Sequence, residues 1–320
     1  MLEEMLKTLL ISLLISIIVV PLNILIFKKI NYRQYVRQEG PASHIKKSGT
    51  PTMGGISFIF AMTIGILFTA ESDYSLLFFI ISIFGFGFIG FIDDYIKINL
   101  KRNLGFKAVQ KLIGQIIFSI IILSFYMRAY PNYSELIVPF TGKIYDIGIL
   151  FIPFGIIVIL GLVNSVNLTD GLDGLASSIT IIVSVVLGVI IYKEFPVFDY
   201  NSAMYSFGIA GALLGFLLYN KHPAKIFMGD VGSLALGGGL VYVFLINKLL
   251  LFIPILGGIY FIESLSVIIQ VISYKTRKKR VFLMSPIHHH FEELGWHETS
   301  VVKVFSIITV ILGLITYIGV

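Results

Sequence analysis

Five aspartates stand where apolar stretches of the sequence begin or end, and carboxylates gathered there could hold a metal ion. Asp93 and Asp94 are adjacent, Asp170 and Asp173 are three residues apart, and Asp230 is bracketed by glycines. Like charges brought together are costly unless a cation lies among them. Mg2+ meets that need with oxygen ligands and is the usual cation where phosphate oxygens are also bound. Helix capping is the alternative interpretation of each aspartate taken alone.

The elements that position these aspartates are predicted to be membrane helices. Of the 320 residues, 57% are hydrophobic and 13% are charged, and the mean hydropathy is +0.93; a soluble domain carries about 25% charged residues. Backbone groups in lipid must be paired internally, so each long apolar run is expected to be a helix. The runs cover approximately 8–27, 53–70, 76–92, 108–127, 147–163, 175–192, 202–219, 232–247, 249–272 and 300–319.

The predicted fold class is therefore all-α: a polytopic integral membrane protein of about ten transmembrane helices, packed as one catalytic domain over 1–320. The chain has no cysteine. Disulfides, thiolate catalysis, iron–sulfur clusters and cysteine-based zinc sites are thereby excluded.

The basic residues predict the orientation of these helices. The loops after the first, third, fifth, seventh and ninth runs, with the start of the last run, hold nineteen of the 24 Lys and Arg residues. The positive-inside rule places these loops in the cytoplasm and both termini outside. All five aspartates lie on that basic side, which favours a shared site over isolated helix caps. The net charge of +6 would draw an anionic substrate to the same face.

Two glycine-rich segments on this side suit a phosphate ligand. Gly229 and Gly232 precede the eighth run, and free N–H groups at a helix N-terminus attract phosphate. The segment 47–55 carries Lys47, several hydroxyl groups and three glycines, which also suits an anion. A turn with a helix N-cap is the alternative for both segments.

Two asparagines, three histidines and one glutamate are further candidates for a functional site. Asn164 and Asn167 offer amides three residues apart, suited to a base, a ribose or a metal. The three histidines at 288–290 cannot all face one metal from a regular element, so they are interpreted as a polar substrate-binding turn. Glu263 lies within the ninth run, where a carboxylate is a functional candidate. A polar bundle interior, or a bend of the span out of the membrane, remains open for it.

The ordered motifs closely resemble those of the phospho-N-acetylmuramoyl-pentapeptide transferases, within the polyprenyl-phosphate hexosamine-1-phosphate transferases. The resemblance covers essentially the whole chain, and the histidine motif favours the muramoyl branch. Its motifs are TPTMGG at 50–55, DDYIK at 93–97, NLTDGLDGL at 167–175, FMGDVGS at 227–233 and SPIHHHFE at 285–292.

The resemblance implies Mg2+-dependent transfer of phospho-N-acetylmuramoyl-pentapeptide from its UDP-activated form to undecaprenyl phosphate, giving lipid I and UMP for peptidoglycan synthesis. It implies the bacterial cytoplasmic membrane, an active site on the cytoplasmic face, contacts with membrane lipids, a homodimer and no nucleic acid. By motif position, Asp93, Asp94 and Asp230 would be catalytic, and Asp230 with Asn167 would bind the metal. The substrate-binding residues would be Lys47, Thr52, Lys97, Asn164, Asn167, Asp170, Asp173, Asn220, Phe227, His288, His289 and His290.

Two alternatives remain at this stage. A sister transferase would load N-acetylglucosamine-1-phosphate onto the same lipid. A secondary transporter would place its charged groups near the bilayer midplane, and only Glu263 with the prolines at 153 and 254 favours that class.

Overall fold

The computed structural model describes residues 2–30, 32, 49–100, 105–194 and 200–320. Within these ranges the fold is a helical bundle with one short hairpin. Its helices are α1 (Leu2–Lys29), α2 (Gly55–Leu67), α3 (Tyr74–Asn99), α4 (Ala108–Ala129), α5 (Phe151–Thr169), α6 (Leu175–Glu194), α7 (Tyr200–Asn220), α8 (Gly229–Ile246), α9 (Ile253–Leu256), α10 (Gly258–Arg277), α11 (Ile287–Glu293) and α12 (Glu298–Gly319). Short 3-10 turns precede α5 at Gly148–Leu150 and α9 at Leu250–Phe252.

The prediction of an all-α polytopic membrane fold is confirmed in its main feature. Eight helices of the described chain are long and apolar enough to cross a membrane, and Leu250–Leu256 with Gly258–Arg277 would make a ninth. The run predicted at 53–70 forms only the 13-residue α2. At 1.5 Å per residue this helix spans about 20 Å, which is short of a ~30 Å hydrocarbon core. The count of ten and the side on which the termini lie stay predictions.

Two helix boundaries differ from those predicted, and both matter for the aspartates. Helix α3 continues to Asn99, so Asp93 and Asp94 lie inside its last turns and not in a loop after it. Helix α8 begins at Gly229, which places Asp230 in its first turn. Both apolar runs are shorter than the corresponding helices, because a helix that reaches the water boundary carries polar residues on its terminal turns.

The predicted ninth span is not one straight helix. Its two parts, Leu250–Leu256 and Gly258–Arg277, meet at an angle of 84°. Gly257 lies at the corner, where an added Cβ would come within 2.8 Å of the Ile253 carbonyl oxygen. After the bend, α10 packs on α5 through a 2.6 Å hydrogen bond between the hydroxyls of Ser264 and Ser165.

Helix α8 forms the centre of the bundle. Every residue from Val231 to Ile246 is buried, and α3, α5 and α2 all pack against it. Small residues allow this close approach: a Cβ added to Gly237 would lie 2.6 Å from the Cα of Val163 on α5. Such glycine contacts are the usual means by which helices pack tightly in lipid.

A two-stranded antiparallel hairpin, unpredicted from the sequence, links α4 to α5. It pairs β1 (Glu135–Val138) with β2 (Lys143–Asp146). The hydroxyl of Ser134 and the N–H of Gly148 donate to Asp146, and they hold the pKa of its carboxyl below the usual value. The hairpin caps the end of the bundle remote from the aspartates on α3, because Phe140 N–H donates to the Gly319 carbonyl at the end of α12 (2.7 Å).

Candidate functional site

Three of the five aspartates meet at one end of the bundle. Asp93, Asp94 and Asp230 each offer a carboxylate oxygen, and these oxygens all lie within 4.8 Å of one another. The crossing of α3 with α8 explains their meeting. A Cβ added to Gly90 would lie 2.1 Å from the Asp230 carbonyl oxygen, so the two backbones touch there. Asp93 and Asp94 follow Gly90 by one helical turn and therefore project beside Asp230.

Backbone donors hold the two carboxylates of α3. Phe106 N–H donates to Asp93 Oδ1 at 2.7 Å, and Val231 N–H donates to Asp94 Oδ2 at 3.1 Å. Gly229 makes the second approach possible, since its φ is +76° and a Cβ there would lie 2.5 Å from Asp94 Oδ2. Any other residue would be strained in that left-handed conformation and would also collide with the carboxylate.

Two lysines neutralise part of this negative charge. Lys97 Nζ lies 2.5 Å from Asp93, 3.5 Å from Asp94 and 3.0 Å from Asp230. Its place beside the acids agrees with the four-residue spacing from Asp93 along a continuous helix. Lys111 on α4 contacts the same Asp230 oxygen at 2.9 Å. We did not single out Lys111 from the sequence, although a lysine one turn inside an apolar run signals a nearby carboxylate.

Asn167 at the end of α5 completes this cluster. Its amide nitrogen donates to Asp230 Oδ1 at 3.0 Å and to the Ser233 hydroxyl at 2.8 Å. Its oxygen accepts from Lys111 at 3.3 Å. Asn164, one turn deeper, instead exchanges two hydrogen bonds with Gln115 on α4 (3.2 and 2.8 Å). Asn167 therefore orients Asp230, while Asn164 ties α5 to α4 behind it.

The donor set of this cluster fits a hard divalent cation. Mg2+ prefers oxygen ligands at about 2.0–2.1 Å and is commonly held by one or two carboxylates together with substrate phosphates. Three carboxylates that approach within 4.8 Å of one another supply such ligands. Asp230 is the central one, because both lysines and Asn167 converge on it.

Asp173 belongs to a second cluster, so the five aspartates do not form a single group. Its Oδ2 accepts from Ala224 N–H at 3.0 Å and lies 3.2 Å from His222 Nδ1. His222 Nδ1 also lies 3.1 Å from Glu298 Oε2 at the start of α12, and the backbone N–H of Asp173 donates to Glu298. Asp170 caps the end of α5. We did not single out His222 or Glu298 from the sequence.

The three histidines lie on the short helix α11 and not on a turn, and each has a different partner. The buried His288 places Nδ1 3.0 Å from Glu263 Oε1. His289 Nδ1 lies 2.7 Å from Glu292 Oε2. His290 Nδ1 accepts from Leu283 N–H at 3.2 Å. This divergence agrees with the expectation that consecutive histidines do not face one metal together.

The remaining predicted residues lie at the end of α7, just before α8 and just before α2, or outside the described chain. Asn220 is buried; it accepts from the Ser177 hydroxyl at 2.8 Å and donates to the Ile226 carbonyl at 3.0 Å. Phe227 pairs through its backbone with residues 51 and 54 at 2.8 and 2.9 Å. Thr52 Oγ1 lies beside Gly229. Lys47 falls outside the described residues.

Comparison with known proteins agrees with these motifs. The family model described as "Glycosyl transferase family 4" matches residues 76–248. The model "Phospho-N-acetylmuramoyl-pentapeptide-transferase signature 1" matches residues 47–59.

Curated relatives match along their whole length. A phospho-N-acetylmuramoyl-pentapeptide-transferase of Clostridioides difficile (strain 630) is 47% identical, over 99% of this chain and 98% of the relative. One of Clostridium novyi (strain NT) is 49% identical, over 98% of this chain and 96% of the relative. One of Clostridium perfringens (strain 13 / Type A) is 45% identical, over 96% of both chains. With this identity over nearly the full length, the chain belongs to the phospho-N-acetylmuramoyl-pentapeptide-transferase family.

Proposed function

We propose that this membrane enzyme transfers phospho-N-acetylmuramoyl-pentapeptide from UDP to undecaprenyl phosphate, giving lipid I and UMP with Mg2+ as cofactor. The observation that carries the proposal is the convergence of Asp93, Asp94 and Asp230 with two lysines at the ends of α3, α4 and α8. Phosphoryl transfer depends mainly on positioning and on stabilising the charge that develops on phosphate oxygens. Carboxylates suited to a divalent cation, with ammonium groups between them, provide both.

The reaction exchanges one P–O bond for another. An oxygen of the lipid phosphate attacks the sugar-side phosphorus of the nucleotide, and the bond from that phosphorus to the UMP oxygen breaks. Lys97 and Lys111 stabilise the charge that develops on the transferring group. We favour this direct attack by the lipid phosphate over attack by an aspartate. Asp93 and Asp94 already accept backbone N–H groups and contact Lys97, and these contacts suit them to orient the lipid phosphate.

Asp230 is proposed as the principal ligand of Mg2+, with Asn167 as a further candidate. When bound, the ion would polarise phosphate oxygens and neutralise charge on the leaving UMP. In the structure the Asn167 amide nitrogen faces Asp230, which supports a role in holding that carboxylate in place.

The second cluster is proposed to form the nucleotide side of the site. Asp170 and Asp173 lie in the turn that joins α5 to α6, and His288 contacts that turn at Gly171. Asn220 and Phe227 shape the loop before α8. Together with Lys47, Thr52, His289 and His290, these residues would surround the uridine and the diphosphate.

The location and assembly of the enzyme follow from charge and from the family. The basic loops support a location of this end of the bundle at the cytoplasmic face of the bacterial plasma membrane, where a soluble nucleotide and a lipid phosphate can meet. The family also implies a homodimer, which a mass measurement in detergent would test.

A product assay tests the reaction itself. Purified enzyme with undecaprenyl phosphate is expected to release UMP from UDP-N-acetylmuramoyl-pentapeptide, and EDTA should abolish this release until Mg2+ is restored. UMP release from UDP-N-acetylglucosamine alone would identify the sister transferase instead. Solute flux in proteoliposomes without a lipid-linked product would indicate a transporter.

A further inference from the structure

Glu263 is a buried carboxylate that the proposed reaction does not use. Its sequence position suggested the middle of a membrane span, yet the 84° bend before α10 changes its surroundings. The neighbouring Ser264 hydroxyl bonds Ser165 on α5 at 2.6 Å. Ser165 lies little more than one turn before Asp170, which ends α5. The bend therefore brings Glu263 to the level of the turn proposed to bind the nucleotide.

Glu263 contacts the imidazole of His288. Both side chains have 0% exposure, and His288 Nδ1 lies 3.0 Å from Glu263 Oε1. Among the described residues, neither side chain has a hydrogen-bond partner. Burying an acid and a base with so few compensating hydrogen bonds is costly, and such a pair is weak evidence for stability. A role in holding the imidazole in place accounts for the pair better.

The other edge of the imidazole contacts the turn between Asp170 and Asp173. A Cβ added to Gly171 would lie 2.1 Å from His288 Nε2. Only glycine leaves room for the ring at this position. A continuous line of contacts thus runs from Glu263 on α10, through His288 on α11, to the turn after α5.

We propose that Glu263 is a positioning residue that acts through His288. The carboxylate holds the Nδ1 edge of the imidazole, so that the Nε2 edge stays against Gly171 and keeps the Asp170–Asp173 turn in the shape that binds the UDP group. This inference rests on the proposed function, because it assigns a task within the nucleotide side of that site. It predicts that loss of the carboxylate weakens nucleotide binding before it alters the chemical step.

Glu263→Gln tests the proposal, since the amide keeps the size of the side chain and removes its charge. We expect KM for UDP-N-acetylmuramoyl-pentapeptide to rise by about tenfold, the order of effect that a residue without direct contact to the ligand can have on its binding, while kcat changes less. His288→Asn should raise KM at least as much. The double variant should be no worse than His288→Asn alone, because one residue acts through the other. Glu293→Gln is the matched control and should behave as wild type. It changes an exposed carboxylate on α11, the short helix that carries His288.

Two outcomes would overturn the inference. A wild-type KM in Glu263→Gln would remove the residue from the site, and additive losses in the double variant, with a lowered thermal midpoint, would reduce the pair to a structural contact. If Glu263→Gln does not fold, Gly171→Ala displaces the ring from the turn while keeping both the carboxylate and the imidazole, and a wild-type KM there would equally overturn it. Failure of the proposed function is a separate result, because the wild-type enzyme would then form no lipid-linked product.

Discussion

Gly90 on α3 touches the backbone carbonyl of Asp230 on α8, and a Cβ at position 90 would lie 2.1 Å from that oxygen. This contact sets the separation of the two helices that carry the carboxylates proposed to be catalytic. Gly90→Ala should push the helices apart, cost about 1–3 kcal/mol of stability as overpacking does, and reduce turnover. Turnover and the thermal midpoint measure the two effects. Gly161→Ala is the control, because nothing lies within 4 Å of a Cβ added there. Equal behaviour of the two variants would contradict the prediction.

Asp230 is the carboxylate on which the cluster converges, so its charge should matter most. We expect Asp230→Asn to lose on the order of 10²-fold or more in kcat, the effect of removing a group that stabilises transition-state charge. The residual activity should require more Mg2+, which a titration of UMP release against the cation measures. Ordinary turnover at ordinary Mg2+ would remove Asp230 from the site.

Lys111 contacts Asp230 from α4 and also donates to the side-chain oxygen of Asn167, so it is expected to act on the transferring phosphate. Lys111→Met should lower kcat/KM by on the order of 10²-fold. Lys275→Met removes an exposed charge near the end of α10 and serves as its control. If both variants keep wild-type kcat/KM, Lys111 contributes only to the net positive charge of this face.

Asp173 joins the turn after α5 to the loop before α8 and to α12, through Ala224, His222 and Glu298. Asp173→Ala should weaken nucleotide binding and also lower the thermal midpoint, because the partly buried N–H of Ala224 loses its acceptor, at a cost below the about 1–3 kcal/mol of a fully buried group. Asp173→Asn keeps an acceptor for the N–H of Ala224. This variant should therefore recover more of the thermal midpoint than of the affinity for the nucleotide. Calorimetric binding of the nucleotide and thermal unfolding separate the two effects. Wild-type affinity in Asp173→Ala would leave Asp173 as a helix-end residue.

The sequence predicted the parts of the site that are carried by local spacing. Asp93 and Lys97 are four residues apart on one helix, and Asp230 stands beside glycines at a helix start, so their meeting at one end of the bundle could be predicted without a structure. The partners that come from elsewhere in the chain could not. Lys111 and Gln115 reach the cluster only because α4 packs beside α5, and His222 meets Glu298 across 76 residues of sequence.

The fold, too, was predictable where it depends on local sequence and not where it depends on contacts between distant segments. Apolar runs located the membrane helices, since hydrophobicity is a local property that lipid imposes directly. The bend at Gly257 depends on how α10 packs against α5, and no count of apolar residues contains that information. The sequence therefore left the surroundings of Glu263 open between a polar bundle interior and a bend of the span, and the structure places it beside His288.

The lysines among the carboxylates have a consequence for the order of binding. In formal charge, Asp93, Asp94 and Asp230 outweigh Lys97 and Lys111 by one unit, so the cluster alone repels a diphosphate. A dication reverses the sign of that balance and makes the same cluster attractive to it. If Mg2+ is the cofactor, as proposed, the nucleotide is therefore expected to gain its full affinity only once the cation is present, and the enzyme without it is expected to leave the other nucleotides of the cell unbound.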